Sequence, residues 1–419
     1  MSFDVHQVRA AYPALAEGYV HFDGAAGTLV AGSVADAVAT TMRSAVGNRT
    51  TVFEPGRRSN RIVEAARAAV ADLVGGDPAG VAFGPSATAL TYTVARALAD
   101  TWTAGDEIVV SRLDHDANVR PWVQAAGRAG VTVRWAGFDP ATGALPAAQY
   151  AELIGERTRL VAITAASNAI GTRPDVAAVA RLAHAAGALV YVDGVHATAH
   201  LPTDAAALGA DFYVTSAYKW SGPHLAACVA APATWNALAP DKLRPSPDSV
   251  PDRFEFGTLS FELLDGVRAA VDHLAGLDPA ARGSRRERVL ASQAAAHAHS
   301  SALFGTLIDG LRAIDGVTPL PAPAGGCPTV SFRLDAEPPA ATATALGDER
   351  ICVYSGDYYA YEYFSAMGLR DTGGAVRASI YHYNTADEVS RLLSAVSERA
   401  LRLGVGAGDY IDAHERSTP

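Results

Sequence analysis

The sequence predicts an α/β chain in two parts: a large domain on a parallel or mixed sheet, then a smaller α+β domain. Three observations carry this. The 419 residues exceed one ordinary domain. Between about residues 60 and 230, apolar strand-like runs alternate with Ala-rich helical stretches, the pattern of a sheet covered by helices on both faces. After about residue 265 the alternation gives way to a long Ala- and Arg-rich helical region.

The strand candidates, in order, are "GVAFG", "EIVVS", "VTVRWAGF", "RLVAITA", "ALVYVD", "DFYVTS" and "AACVAA". Helical segments such as "PDVAAVARLAHAAG" separate them and close on glycine, as helices often do. The helical region of roughly 266–312 leads into "CPTVSFRL" and "ICVYSG", then into a last helix near 386–403. We therefore expect a large domain over 20–265, a small α+β domain from 1–19 and 266–404, and a surface or disordered tail over 405–419.

Composition excludes several classes of function. With 49% hydrophobic and 19% charged residues the chain can bury a sizeable core. A formal charge of −10 argues against a nucleic-acid or anionic-membrane partner, either of which would want a basic stripe. No apolar run reaches membrane-spanning length, and "MSFDVHQVRAAYPALAEGYV" lacks a basic end followed by an apolar core. The expectation is a cytoplasmic protein. Cys228, Cys327 and Cys352 cannot form a disulfide framework, and no HExxH or CxxC spacing indicates a metal.

Sheets of this kind bind ligands beyond the carboxyl ends of their strands, so the residues just after each strand are the candidates. The chain contains only two lysines, Lys219 and Lys242, among 34 basic residues. Lys219 follows the strand "FYVTS". Arginine would serve a solvated surface equally well, but it does not lose its proton and cannot form an imine. Asp193 ends the apolar strand "ALVYVD", where a carboxylate is costly unless it meets a cation. An amine that can bond a carbonyl, beside an acid that can keep a ring nitrogen protonated, is what pyridoxal phosphate requires. The turn Gly84-Pro85-Ser86-Ala87-Thr88 runs from strand into helix, and free N–H groups there, with nearby hydroxyls, suit a phosphate. An ordinary helix cap would look the same. Ser216, three residues before Lys219, adds a hydroxyl on that side. His115 could stack on a flat ring, while Asn168 and His196 could hydrogen-bond its phenolic oxygen.

Taken together, "HFDGAAGTLV", "GPSATAL", "DHDANVRPW", "ITAASNAIGT", "YVDGVHATAH", "DFYVTSAYKWSGPHLAACVA", "FEFGTLSFE" and "VRASIYHYNT" resemble the class V aminotransferases. The nearest group is the cysteine desulfurase and selenocysteine lyase-like one. The resemblance implies fold type I, with a mixed, mostly parallel seven-stranded sheet in the large domain, and pyridoxal phosphate as cofactor. It implies Lys219 as the Schiff-base lysine, Asp193 as the pyridinium partner and His115 as the stacking imidazole. Ala87, Thr88 and Ser216 would hold phosphate, and Asn168, His196 and Tyr218 would complete the cofactor site. Thr258 would reach the phosphate of the partner subunit in a homodimer with shared sites. Arg377 would clamp the substrate carboxylate, with Ala26 and Tyr359 also lining the substrate pocket.

One departure matters. Desulfurases of this group carry a sulfur-accepting cysteine on a loop where this chain has "YSGDYYAYEYF", with Tyr359 at the corresponding place. A phenol cannot accept sulfane sulfur, and Cys352 lies seven residues earlier in a strand-like run. Tyr358, Tyr359 and Tyr361 suggest an aromatic loop that shapes or caps the substrate pocket, with simple packing of the small domain as the alternative. The expectation is β-elimination of cysteine or a cysteine S-conjugate. Alternatives are decarboxylation coupled to oxidative deamination, epimerisation or transamination, followed by true desulfuration or a cofactor-binding protein without turnover.

Overall fold

The computed structural model describes residues 3–404; the expected tail over 405–419 lies outside them. All seven strand-like runs form strands of one sheet. They are β1 (Val81–Gly84), β2 (Glu107–Ser111), β3 (Thr132–Ala136), β4 (Thr158–Thr164), β5 (Leu189–Asp193), β6 (Phe212–Ser216) and β7 (Ala226–Val229). Their order is β1-β7-β6-β5-β4-β2-β3. β7 runs antiparallel to both its neighbours, and every other pair is parallel. The sheet is therefore mixed and mostly parallel, as expected.

Both faces are buried, which is why the strands read as continuous apolar runs. Along β4, Leu160 and Ala162 join one core cluster while Val161 and Ile163 join the other. α1 (Glu54–Val74) contributes Val63, Ala66 and Val70 to the second cluster. On the opposite face lie α2 (Ala87–Ala99), with Leu90, Val94 and Leu98, and α3 (Arg120–Ala129), with Trp122. α4 (Val176–Ala185) returns to the α1 face.

The helical region expected over 266–312 is two helices, α5 (Phe261–Ala275) and α6 (Arg285–Arg312). Pro279 and Gly283 interrupt it. Ser284 then restarts it with a capping box, its hydroxyl accepting from the Glu287 N–H while the Glu287 side chain accepts from the Ser284 N–H. Such a cap contributes about 1 kcal/mol.

The C-terminal layer is an antiparallel sheet in the order β10-β11-β9-β8. Its strands are β8 (Val317–Pro319), β9 (Thr329–Leu334), β10 (Tyr354–Gly356) and β11 (Ala375–Ser379). The run "ICVYSG" divides, since Ile351–Cys352 pairs separately with Val20–His21. α7 (Ala386–Arg402) covers this sheet through Val389, Leu392 and Val396. Val20 and Phe22 pack into the same cluster, and α5 runs unbroken through residue 265. No helix among the described residues is long and apolar enough to cross a membrane.

Candidate active site

The parallel strands β2, β4, β5 and β6 end together; Asp193 is the last residue of β5, and the turns after the other three deliver His115, Asn168 and Lys219 to the same place. There the large sheet faces β11 of the C-terminal sheet, which brings Arg377. The cavity between has an outer chamber of about 550 Å³ and an inner recess of about 70 Å³. Ala26, Tyr359 and Arg377 line the chamber; Ala87, Asp193, His196 and Ser216 line the recess; Thr88, His115, Asn168, Tyr218 and Lys219 line both. Thr258 is elsewhere, in a surface hollow with Asn48 and Arg49.

Lys219 follows β6 on a single 3-10 turn, and its amine donates to the Ala25 carbonyl. Burial and the nearby Arg377 guanidinium lower its pKa to about 7, against the pull of Asp23 and Asp193. Near neutrality a large share of it is thus a neutral amine. Burial raises Asp193 to about 6, although one of its oxygens accepts the Val195 N–H at 2.9 Å.

His115 accepts the Ala117 N–H on Nδ1 at 3.0 Å. Burial, with Lys219 and Arg377 nearby, lowers its pKa to about 3, so the ring is neutral. The loop that presents it is anchored by Asp114. That buried carboxyl accepts from the Ser111 hydroxyl and, at 2.6 Å, from the Asn118 amide. Burial raises Asp114 to about 7.

Arg377 is buried. Its Nη1 donates to the Asn168 carbonyl at 3.1 Å, its Nη2 lies 3.6 Å from Asp23, and the guanidinium sits 4.5 Å from the Tyr358 ring centre. Its Nε has no partner. Asn168 in turn donates to the Tyr358 carbonyl at 2.9 Å. His196 bonds Thr329 at 3.0 Å, which tied to Ser379 at 2.9 Å joins the recess to the C-terminal sheet.

At the start of α2 the Ser86 hydroxyl accepts the Ala89 N–H at 3.1 Å, so Ser86 is the helix cap. The N–H groups of Ala87 and Thr88 precede any intrahelical partner. They point the positive end of the helix at the recess.

The residues fit pyridoxal phosphate. The recess offers an imine-forming amine, a buried carboxylate with an oxygen to spare and a helix N-terminus for a phosphate. Asn168 Oδ1 and His196 Nδ1 are buried without hydrogen-bond partners, as polar atoms in the wall of a ligand site can be. Sequence reasoning missed Asp23, Asp114 and the Ala25 carbonyl. Nothing in "DHD" set its first carboxylate, Asp114, apart from its second, Asp116.

An enzyme that does its chemistry with pyridoxal phosphate is what this sheet and cavity describe together. The family model for aminotransferase class-V matches residues 20–235 and 247–392, and the chain belongs to that family, whose members use this cofactor. It is 38% identical to an uncharacterized protein of Mycobacterium tuberculosis, over 95% of this chain and 99% of that one. It is 34% identical to a probable cysteine desulfurase of Pseudomonas aeruginosa, over 94% of this chain and 98% of that one. The structure of a cysteine desulfurase from Escherichia coli superposes with a TM-score of 0.84 at 27% identity, covering 96% of this chain and 100% of that one.

Proposed function

We propose that this enzyme eliminates the β-substituent of cysteine or a cysteine S-conjugate, acting as a C–S lyase. The observation that carries the reading is the Lys219 amine in one cavity with the buried Arg377, where no cysteine is among the lining residues described. Bound pyridoxal phosphate supplies a sink for electrons released at the α-carbon. Lys219 would hold the cofactor, and Asp193 would be the partner of its ring nitrogen. The Ala87 and Thr88 N–H groups, with Ser216, hold the phosphate. His115 would cover the ring, while Asn168, His196 and Tyr218 would bound it.

Arg377 grips the substrate carboxylate and so fixes which bond faces Lys219. The Lys219 amine takes the α-proton. The C–S bond breaks with its electron pair going to sulfur, and the thiol leaves with a proton. Water then converts the remaining dehydroamino acid to pyruvate and ammonia. In a homodimer, Thr258 would face the partner's phosphate.

The second reading is desulfuration, favoured by the likeness to the probable cysteine desulfurase of Pseudomonas aeruginosa. It would place the sulfur on Cys352, which is half-buried in a two-residue strand and whose thiol pKa is raised by burial and by Asp23. The products separate the two. Elimination gives pyruvate and free thiol in equal amounts, whereas desulfuration gives alanine and protein-bound sulfur. With Cys352→Ser we expect pyruvate formation within about twofold of the parent, as for a substitution outside the site. Alanine as the main product, or sulfur release abolished by that variant, would overturn elimination.

Lys219 also predicts how cofactor-free protein reloads. Only the neutral amine attacks a carbonyl, so the covalent loading rate should climb about tenfold per pH unit below pH 7 and level off above it. A rate still climbing toward pH 10, as for an ordinary lysine at about 10.4, would contradict the assignment.

A further inference from the structure

Three tyrosines close together in sequence go three ways. Tyr358 is buried beneath Arg377, and Tyr361 lies against the Arg370 guanidinium, 4.2 Å from its ring centre. Tyr359 is 70% exposed, with its ring stacked on His115 at a centroid distance of 5.4 Å. Its backbone is held at φ 59°, after Tyr358 at φ 48°, a conformation that bulky side chains rarely adopt. The Asp116 N–H donates to the Tyr359 carbonyl at 2.7 Å, and Asp357 accepts the Tyr359 N–H at 3.1 Å. Local backbone strain thus holds an aromatic ring at the cavity mouth.

Much of the wall around it is aromatic or apolar. Tyr92, Tyr354 and Pro121 supply rings and apolar surface. Arg120 shares that wall but is not a free cation, because it bonds Asp116 and Glu362, each at 3.0 Å. Away from Arg377 the chamber therefore offers flat surfaces and balanced charge. Its 550 Å³ falls in the range of roughly 300–1,000 Å³ that encloses drug-sized ligands.

We propose that Tyr359 sets specificity by stacking on a neutral aromatic group at the far end of the substrate side chain. The substrate class is then bulky α-amino acids, S-benzyl- or S-aryl-cysteines among them, rather than cysteine itself. The proposal rests on the reading of the cavity as an α-amino acid site, and it does not depend on which bond is broken.

The holoenzyme should be assayed with S-benzylcysteine and S-methylcysteine. A face-on aromatic contact predicts a kcat/KM ratio favouring the benzyl compound by about tenfold. Tyr359→Ala should lower that ratio about tenfold, and Tyr359→Phe should keep it. A parental ratio near one, or a ratio unchanged in Tyr359→Ala, overturns the proposal. Titrating the bound-cofactor absorbance with phenylalanine and alanine separates the two readings. Tighter binding of phenylalanine, lost in Tyr359→Ala, supports the substrate class even where neither cysteine derivative is cleaved, an outcome that removes only the lyase reading.

Discussion

Lys219→Ala is expected to abolish covalent retention of the cofactor and to lower turnover by about 10²- to 10⁴-fold, the span associated with a lost general base. The direct measurement is mass analysis after borohydride reduction. The parent should carry the reduced cofactor on the peptide containing Lys219, and the variant should carry none. Lys219→Arg should fail the same way, since a guanidinium keeps its proton at any working pH. Cofactor still fixed to Lys219→Ala would end the assignment. The chain supplies few competitors, because Lys242, the other lysine, is tied to Asp248 and to the Ser246 carbonyl at 2.9 Å each.

The second large effect belongs to Arg377. Arg377→Ala is expected to lower kcat/KM for α-amino acids about 10²- to 10³-fold, the cost of removing one partner from a desolvated ion pair. Most of the loss should fall on KM. An amine without a carboxylate has nothing for the guanidinium to grip, so its affinity should change little. Equal losses for both ligands would mean that Arg377 supports the fold rather than the substrate. Arg377→Lys should recover only part of the activity, because an ammonium on a flexible stem lacks the planar fork. The same substitution to alanine leaves Asp23 with only Lys219 as a nearby cation and Tyr358 without the charge over its ring.

The seven strands of the large sheet were legible because burial on both faces makes them unbroken apolar runs, and a sheet of that kind announces its own ligand edge. Lys219 stood out chemically, since a chain that otherwise prefers arginine used a lysine at a strand end. His115, Asn168 and Asp193 were readable for the same positional reason. Asp23 was not, because its nearness to Lys219 and Arg377 depends on a chain crossing between layers that no local pattern encodes. The gap between α5 and α6 was hidden by alanine, which continues a helical texture across a break that Pro279 and Gly283 make. The tyrosine loop held opposite fates for adjacent residues. Identical side chains at positions 358 and 359 point to a core and to a cavity mouth, and only the backbone's left-handed turn decides which is which.

That loop hangs from the four-stranded sheet, while the groups proposed for the cofactor sit on turns of the seven-stranded one. Substitutions at Tyr354, Tyr358 or Tyr359 reach the chamber without passing through Asp193 or the start of α2. The two halves meet where Tyr359 stacks on His115 and the Tyr358 carbonyl accepts from Asn168, so a change of substrate at this loop is felt by the groups proposed for the cofactor.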